Sequence, residues 1–354
     1  MINEIQDPFL VQNVIKVLFL AALAFIVAVA WTPALTHFLY KFKLGKNIRE
    51  GGAPIYHQLH QAKAGTPVMG GLLVWVTVLL LAIAFFVWSE FSDNFFIAKL
   101  NFLTRAETLL PLGALVATAL VGLADDILNV FKIGPKGGGM RMIYRLVLYT
   151  LVAIFGAWWF YYKLDWDIIH VPGVGDFNIG WWYVPLFIVV LVATSFSVNE
   201  ADGLDGLAGG ILLTCFGAYA VISFMQGKIE LAAFCGVIVG ALLAFLWFNI
   251  HPARFFMGDT GAMSLGTTLG IVAMLTNTAL VLPLIALPLV IESVSVLIQI
   301  PYKKLTGKKI FLSTPIHHHF EAKGWPETKV TMRFWIIALV SAALGMMIGL
   351  IGGG

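Results

Sequence analysis

Ten stretches of this sequence are long enough and apolar enough to cross a lipid bilayer as helices. A helix spans the hydrocarbon core with about 20 apolar residues. The runs are continuous rather than alternating, which excludes the strands of a membrane barrel. They cover residues 11–34, 68–89, 107–124, 141–162, 182–199, 206–226, 229–250, 260–277, 279–301 and 332–350. The sequence therefore predicts an all-α polytopic membrane protein of about ten transmembrane helices.

Composition agrees with this class, since the chain is 60% hydrophobic and 12% charged. No repeat, low-complexity tract or soluble insertion interrupts it, so residues 1–354 predict a single integral-membrane domain. The first segment follows Glu4 and Asp7 rather than a basic region and is too long for a signal-peptide core, so we expect it to be retained. Cys215 and Cys235 lie inside apolar runs and are expected to be buried thiols.

The distribution of basic residues predicts the orientation. The loops after the odd-numbered segments hold sixteen Lys and Arg residues, and the opposite loops hold four. Because cytoplasmic loops carry the excess of Lys and Arg, both termini are predicted to be extracytoplasmic, in a multi-pass protein of the cytoplasmic (inner) membrane. The net charge of +3 gives no reason to expect nucleic-acid binding. Topology and anionic membrane lipid explain the basic loops.

Five aspartates in the predicted cytoplasmic loops stand at the ends of membrane-length segments. Asp125 and Asp126 close the third segment, Asp202 and Asp205 lie between the fifth and sixth, and Asp259 precedes the eighth. Carboxylates near hydrocarbon are unfavourable unless something binds them. Their gathering on one face predicts a cytoplasmic active site that holds a cation, a phosphate ligand or a proton path.

The paired aspartates have more than one interpretation. Asp125 and Asp126 at a helix C-terminus face an unfavourable dipole. A divalent cation, Lys136 or a proton shared with substrate could offset it, or the helix end could simply be solvated. Asp202 and Asp205 are three residues apart, so in a helical turn they share a face. The alternative for these two is a tight turn between two spans.

Two further segments have the composition of ligand sites. Asp259 stands where a helix begins, so it either caps that helix or supplies an oxygen to a cation such as Mg²⁺. Residues 63–71 (KAGTPVMGG) are rich in Gly and Pro just before a span begins. A helix N-terminus beside Lys63 is a ready anion site. The alternative is an entry loop with a lysine that sets topology.

The last cytoplasmic loop contains three adjacent histidines, His317, His318 and His319. Consecutive side chains on a helix are about 100° apart, so three rings cannot easily bind one ion. Hydrogen bonds to phosphate oxygens fit better than a zinc site. Glu292 lies inside the ninth segment after two prolines that are expected to bend or break the helix. Such an acid needs a partner or a wet cavity.

Five motifs occur in order along nearly the whole chain. They are residues 63–71, Asp125-Asp126, 199–207 (NEADGLDGL), 256–261 (FMGDTG) and 315–327 (PIHHHFEAKGWPE). They resemble the phospho-N-acetylmuramoyl-pentapeptide transferases, a branch of the polyprenyl-phosphate N-acetylhexosamine-1-phosphate transferases. The aspartate motifs are shared across that superfamily, and the triple-histidine segment is the most specific to this branch.

The resemblance implies a Mg²⁺-dependent transfer of phospho-MurNAc-pentapeptide from UDP-MurNAc-pentapeptide to undecaprenyl phosphate. The products would be lipid I and UMP, in peptidoglycan biosynthesis. It also implies ten spans, outward termini, a cytoplasmic site and a homodimer. The sequence departs from the family pattern at Glu200, Ala201 and Ala262, and at Arg141, where a lysine is common. None of these is a proposed catalytic group.

The resemblance also implies roles for individual residues. Asp259 would bind the metal, and catalytic roles fall to Asp125, Asp126, Asp259 and His317. The candidate substrate-binding residues are Lys63, Thr66, Lys136, Asn199, Asp202, Gly203, Leu204, Asp205, Asn249, Phe256, His317, His318 and His319.

Three other functions are compatible with parts of the pattern. A sister transferase would use UDP-GlcNAc and undecaprenyl phosphate, which the triple-histidine segment argues against. An ion-coupled transporter would use the acids as an ion path, but the sequence lacks a matched pair of broken helices in two halves. An inactive scaffold would have no reason to retain every proposed phosphate and metal residue.

Overall fold

The structure, a computed structural model, describes residues 8–45, 63, 65–91, 95–105, 107–134 and 138–351. It is 75% helical. Eight of the helices in these ranges are long and apolar enough to cross a membrane. The prediction of an all-α, multi-pass membrane protein is therefore confirmed.

The described residues form thirteen α-helices, numbered in chain order. They are α1 (Pro8–Lys41), α2 (Leu72–Phe91), α3 (Phe95–Leu100), α4 (Leu109–Val130), α5 (Met142–Trp158), α6 (Tyr183–Ala201), α7 (Leu207–Met225), α8 (Ile229–Asn249), α9 (Gly258–Leu275), α10 (Leu282–Ile285), α11 (Leu287–Thr306), α12 (Ile316–Ala322) and α13 (Glu327–Gly349). A π-helical turn, Trp159–Lys163, extends α5, and the 3₁₀ turn Gly180–Trp182 precedes α6.

Every predicted segment coincides with helix, with two differences. The ninth segment is divided into α10 and α11, and each of these begins with a proline in its first turn, Pro283 and Pro288. Proline suits that position but cannot continue a preceding helix. The third segment was predicted to end before Asp125, whereas α4 continues to Val130. The two aspartates therefore lie inside the helix rather than at its end.

A small β-hairpin, which the sequence did not predict, lies between α5 and α6. Its strands β1 (Ile168–Val171) and β2 (Gly175–Asn178) pair antiparallel, with Ile168 opposite Asn178. The side-chain oxygen of Asn277, just after α9, accepts the backbone N–H of His170 at 3.1 Å. The hairpin thus covers the end of α9 that is farther from the aspartates.

Helix α9 lies in the centre of the bundle, packed against α4 and α6. Every residue from Thr260 to Leu275 is buried. Its hydroxyls bond back to its own carbonyls, as from Ser264 to Thr260 O at 2.7 Å. Because α9 faces protein rather than lipid, it tolerates a polar composition and does not meet the length-and-composition criterion of the eight helices. Helix α11 does not meet this criterion either, but for a different reason: it buries one polar face, with Glu292, Ser293 and Gln299, and exposes apolar residues on the other.

Glycines allow the start of α9 to approach its neighbours closely. A Cβ atom on Gly122 of α4 would lie 2.3 Å from the carbonyl oxygen of Asp259, and one on Gly71 would lie 2.3 Å from the Cα of Gly261. Small residues at such contacts bring helix backbones together in membrane proteins. This contact places Asp125 and Asp126, one turn after Gly122, beside Asp259.

We expect Gly122→Ala to lower the free energy of unfolding by about 1–3 kcal/mol, because the added methyl group overpacks the α4–α9 contact. Thermal unfolding of the detergent-solubilised protein measures this. The matched control is Gly113→Ala on the same helix, where an added Cβ meets nothing within 4 Å. Equal midpoints for the two variants would contradict the proposed close contact.

Candidate active site

The first turn of α9 is capped by two carboxylates, one from α4 and one from the turn that follows α6. The Asp126 carboxylate accepts the N–H groups of Asp259 and Thr260, both at 3.0 Å. The Asp202 carboxylate accepts the N–H of Gly258 at 3.0 Å. A carboxylate satisfies orphan N–H groups and complements the positive end of the helix dipole. Asp259 therefore does not cap its own helix, and its carboxylate is turned toward other partners.

Those partners are Arg145 of α5 and Asn199 of α6. The Arg145 guanidinium reaches both carboxylate oxygens of Asp259, with Nη2 at 2.8 Å from Oδ2 and Nη1 at 3.3 Å from Oδ1. The same Nη2 also contacts Asp125 Oδ2. Asn199 donates its amide to Asp259 and accepts from Arg145 Nη1 at 3.3 Å. Four helices thus meet around one guanidinium.

The donor set of this cluster fits a divalent metal ion. Three carboxyl groups, those of Asp125, Asp126 and Asp259, lie around the single guanidinium of Arg145, and carboxylate oxygens are the ligands that Mg²⁺ prefers. The Asp125 side chain is 0% exposed and that of Asp259 is 12% exposed. Asp259 is therefore the carboxylate that a cation entering from outside meets first.

A second polar cluster forms around Lys63. Its Nζ lies 2.7 Å from Asp205 Oδ1, contacts Glu327 Oε1 and stands 5.6 Å from the centre of the Phe256 ring. Asp205 Oδ2 binds His251 Nδ1 at 2.9 Å, and the Asp205 N–H donates to Glu327 at 2.6 Å. Burial raises the pKa of Asp205, but the Lys63 ammonium and the hydrogen bonds from the Ala253 N–H and His251 outweigh it and lower this pKa below its usual value.

Asp205, His251 and Glu327 also have the spacing of a metal site, since one ligand atom of each lies within 4.8 Å of the others. However, the Lys63 ammonium already binds both carboxylates of this group. The group around Lys63 has two carboxylates for one ammonium, whereas the Arg145 cluster has three carboxyl groups for one guanidinium. The Arg145 cluster is therefore the better candidate for a cation.

Asp202 and Asp205 do not share a helical face, contrary to one interpretation of their spacing. Helix α6 ends at Ala201, and residues 202–206 form turns that lead into α7. Asp202 consequently faces the start of α9, while Asp205 faces Lys63. The alternative interpretation, a tight turn between two spans, is the one observed.

The three histidines of α12 bind three different partners, as their adjacency predicted. Nδ1 of His317 lies 2.9 Å from Glu292 Oε2, and Nδ1 of His318 lies 2.7 Å from Glu321 Oε2. Nδ1 of His319 accepts the Leu312 N–H at 3.1 Å. The rings therefore do not converge on one point, which argues against a zinc site formed by the triplet.

The neutral state of His319 agrees with that hydrogen bond. Burial and the nearby Lys323 ammonium lower the pKa of His319 below its usual value. Its Nδ1 therefore carries a lone pair at neutral pH and can accept the backbone N–H.

His317 is fully buried and turned toward the loop after α6. Its Nε2 has no hydrogen-bond partner among the residues that the structure describes. A Cβ atom on Gly203 would lie 2.3 Å from this Nε2, so only glycine leaves room for the ring. Because Glu292 engages Nδ1, the free nitrogen Nε2 is directed at Gly203. Glu292 thus has the partner that an acid in an apolar segment requires.

The remaining candidate residues support these clusters. Asn249 accepts the Gly206 N–H at 2.9 Å and donates to Phe255 O at 2.8 Å, so it joins two loops. Leu204 is buried. The Thr66 N–H donates to Lys63 O at 3.2 Å. Lys136 lies outside the described residues.

Sequence reasoning did not single out Arg145, Glu327 or His251. Arg145 lies in the apolar run of the fourth segment, and a charge inside such a run is a functional signal by itself. Glu327 ends the motif 315–327 but carried no assigned role, and His251 lies outside the five motifs. Nothing in their spacing relates them to Lys63, because tertiary packing brings them together.

Comparison with known proteins identifies the class. The family described as "Glycosyl transferase family 4" matches residues 108–277. This range contains the Asp125, Asp126, Asn199 and Asp259 positions together with Arg145. The fold and this match define a membrane-embedded phosphosugar transferase.

Curated relatives identify the branch. Proteins named phospho-N-acetylmuramoyl-pentapeptide-transferase occur in Chloroflexus aggregans, at 39% identity over 97% of this chain and 92% of the relative. One from Geobacillus thermodenitrificans is 38% identical over 92% of this chain and 96% of its own length. One from Bacillus subtilis is 36% identical over 94% and 97%. The chain therefore belongs to the phospho-N-acetylmuramoyl-pentapeptide-transferase family.

We expect Asp126→Ala to destabilise the protein by about 1–2 kcal/mol, because the N–H groups of Asp259 and Thr260 lose their acceptors. Asp126→Asn keeps one acceptor oxygen, so its stability should lie between those of the wild type and Asp126→Ala. Thermal unfolding midpoints in detergent should follow the order wild type, Asn, Ala. An Ala variant as stable as the wild type would show that the cap is not needed.

Proposed function

We propose that this protein transfers phospho-MurNAc-pentapeptide from UDP-MurNAc-pentapeptide to undecaprenyl phosphate in the cytoplasmic membrane. The products are lipid I and UMP. The observation that carries the proposal is identity of 36–39% with transferases of that name over most of the chain. The clustering of the motif residues in two adjoining polar networks supports it.

The Lys63 cluster provides the nucleoside end of the proposed site. Lys63 supplies a positive charge held in place by Asp205 and Glu327. Phe256, under the ammonium, offers an aromatic face. Asp202, Gly203, Leu204 and Asn199 line the proposed path from this cluster to the Arg145 cluster, and Thr66 and Asn249 hold the adjoining loops. This arrangement suits a ligand with a base at one end and phosphates at the other.

The Arg145 cluster provides the metal and phosphate end. Asp259 is proposed to bind Mg²⁺, which when present neutralises diphosphate charge and assists departure of UMP. His317, His318 and His319 lie on one short helix across from it, and His317 Nε2 is directed toward Gly203. We assign these rings to hydrogen bonds with phosphate and sugar oxygens. Transfer between two anions depends mainly on such positioning and charge neutralisation.

Asp125 is the proposed acceptor of the proton from the lipid phosphate. Its side chain is fully buried, with one oxygen bound by the Met140 N–H and the other by Arg145. It can act as a base only when one of these contacts is exchanged for substrate. Asp126, engaged in capping α9, is better suited to positioning Asp259 than to proton transfer.

The proposal extends to topology and assembly. A single domain with ten spans, outward termini and the two clusters at the cytoplasmic face agrees with the sixteen basic residues in the loops predicted to be cytoplasmic. In that orientation UDP-MurNAc-pentapeptide enters from the cytoplasm and undecaprenyl phosphate from the lipid. A homodimer is the proposed assembly.

The function is tested by release of UMP from the detergent-solubilised protein with undecaprenyl phosphate. We expect turnover with UDP-MurNAc-pentapeptide and Mg²⁺, and loss of turnover in EDTA. UDP-GlcNAc should give no UMP, because the His317 segment and the relatives point to the muramyl donor. Turnover of UDP-GlcNAc alone would assign the protein to the sister branch instead.

The matched variants for this assay are Asp259→Asn and Asp165→Asn. The first removes the proposed metal ligand and should lower turnover by about 100-fold or more. The second makes the same chemical change at an exposed aspartate outside the long helices and should not. Equal turnover of the two variants at saturating Mg²⁺ would remove Asp259 from the proposed site.

A further inference from the structure

We propose that Arg145 competes with the divalent cation for Asp259 and thereby sets how tightly this enzyme binds its metal. The inference rests on the proposed function for the identity of the site. Arg145 contacts both Asp259 and Asp125 in the structure, and metal binding shifts the guanidinium onto Asp125 alone.

The hydrogen bonds of Asp259 carry the first step of the argument. A carboxylate offers about four lone-pair sites. Arg145 Nη1 and Nη2 and the Asn199 amide together engage three of them. Mg²⁺ demands short bonds in a nearly octahedral arrangement. The one site left, on Asp259 Oδ2, lies beside the positive guanidinium. Tight binding of Mg²⁺ to Asp259 therefore requires the guanidinium fork to be released.

The charges of the cluster carry the second step. Three carboxylates and one guanidinium leave a formal charge of −2, which a divalent cation brings to zero. Two cations on the same Asp259 oxygens repel each other, but the cluster as a whole has charge enough for both. The stable arrangement with metal bound therefore has Arg145 on Asp125 and the cation on Asp259.

The contacts of Arg145 show that this exchange needs little movement. Nη2 already touches both Asp125 and Asp259, so the guanidinium needs only to release one of them. Asp125 is fully buried and cannot be reached by water, so it retains the arginine. Within the described part of the chain, Arg145 Nε has no hydrogen-bond partner, so no bond from Nε opposes rotation.

A purely structural role predicts something different. If Arg145 only ties α4, α5 and α9 together, its removal lowers stability and leaves metal affinity unchanged. If Arg145 competes, its removal makes the cluster more negative and uncovers Asp259, so metal affinity rises. The two roles therefore differ in the sign of the change in metal affinity.

The test is Mg²⁺-dependent thermal stabilisation of the substrate-free protein in detergent, repeated with Mn²⁺. Arg145→Met removes the charge and keeps most of the side-chain length. The metal midpoint is the metal concentration that gives half of the full stabilisation. We expect it to fall roughly tenfold in Arg145→Met, a change of the size known for residues that contact metal ligands without binding the metal. Arg145→Lys keeps the charge but loses the guanidinium fork, so its metal midpoint should lie between those of Arg145→Met and the wild type.

Arg141→Met is the matched control, because Arg141 lies exposed one turn earlier and its loss changes net charge by the same amount. Its metal midpoint should stay within about twofold of wild type, since exposed charges are screened. An equal shift in both Met variants would attribute the effect to net charge and overturn the proposal.

Three other results would overturn the proposal. They are an unchanged metal midpoint in Arg145→Met, a raised metal midpoint in that variant, or no metal-dependent stabilisation of any variant, the wild type included. If Arg145→Met does not fold, the Lys variant decides by the same criterion. The assay contains no donor, so a tighter midpoint without UMP release would uphold the competition and reject the proposed function.

Discussion

The structure depends on how the N-terminus of a fully buried helix is satisfied. Helix α9 begins at a partly buried point of the bundle, where its first N–H groups need acceptors from the protein, and an unpaired N–H in such a place is unfavourable. Asp126 of α4 and Asp202 of the turn after α6 accept hydrogen bonds from those groups. Capping from outside leaves the Asp259 side chain free to face Arg145, and the close contact at Gly122 holds α4 in position. The position of Asp259, the candidate metal ligand, is thus a consequence of how the N-terminus of α9 is capped.

Because one residue of each acidic pair caps α9, the two residues of the pair have different partners. Neighbouring residues on a helix point about 100° apart, so Asp125 and Asp126 cannot face the same partner. One caps α9 and the other pairs with Arg145. Asp202 and Asp205 are separated by the turn after α6 and likewise serve the α9 cap and the Lys63 cluster. Each motif therefore contains one residue that positions the site and one that is available for chemistry or binding, which spacing alone does not distinguish.

Much of the fold could be predicted from the sequence, because membrane spans are set by length and average apolarity. The sequence also singled out the aspartates that the structure gathers around Arg145 and Lys63, and it predicted that the three histidines would not share one ion. What it could not predict depends on tertiary packing. The continuation of α4 past Asp125 depends on partners distant in sequence, since α9 donates N–H groups to Asp126 and Arg145 of α5 pairs with Asp125. Arg145 itself lies in a run whose average composition is apolar. The β-hairpin is too short to show a periodic pattern, and its contact with Asn277 is distant in sequence.

The central claim is that the divalent cation binds in the Arg145 cluster, at Asp259. Anomalous diffraction from crystals of the protein grown with Mn²⁺ and UMP tests it most directly. The account predicts a manganese peak bonded to an Asp259 carboxylate oxygen, with Arg145 retained by Asp125. A peak found only among Asp205, His251 and Glu327, the other group with suitable spacing, would contradict it.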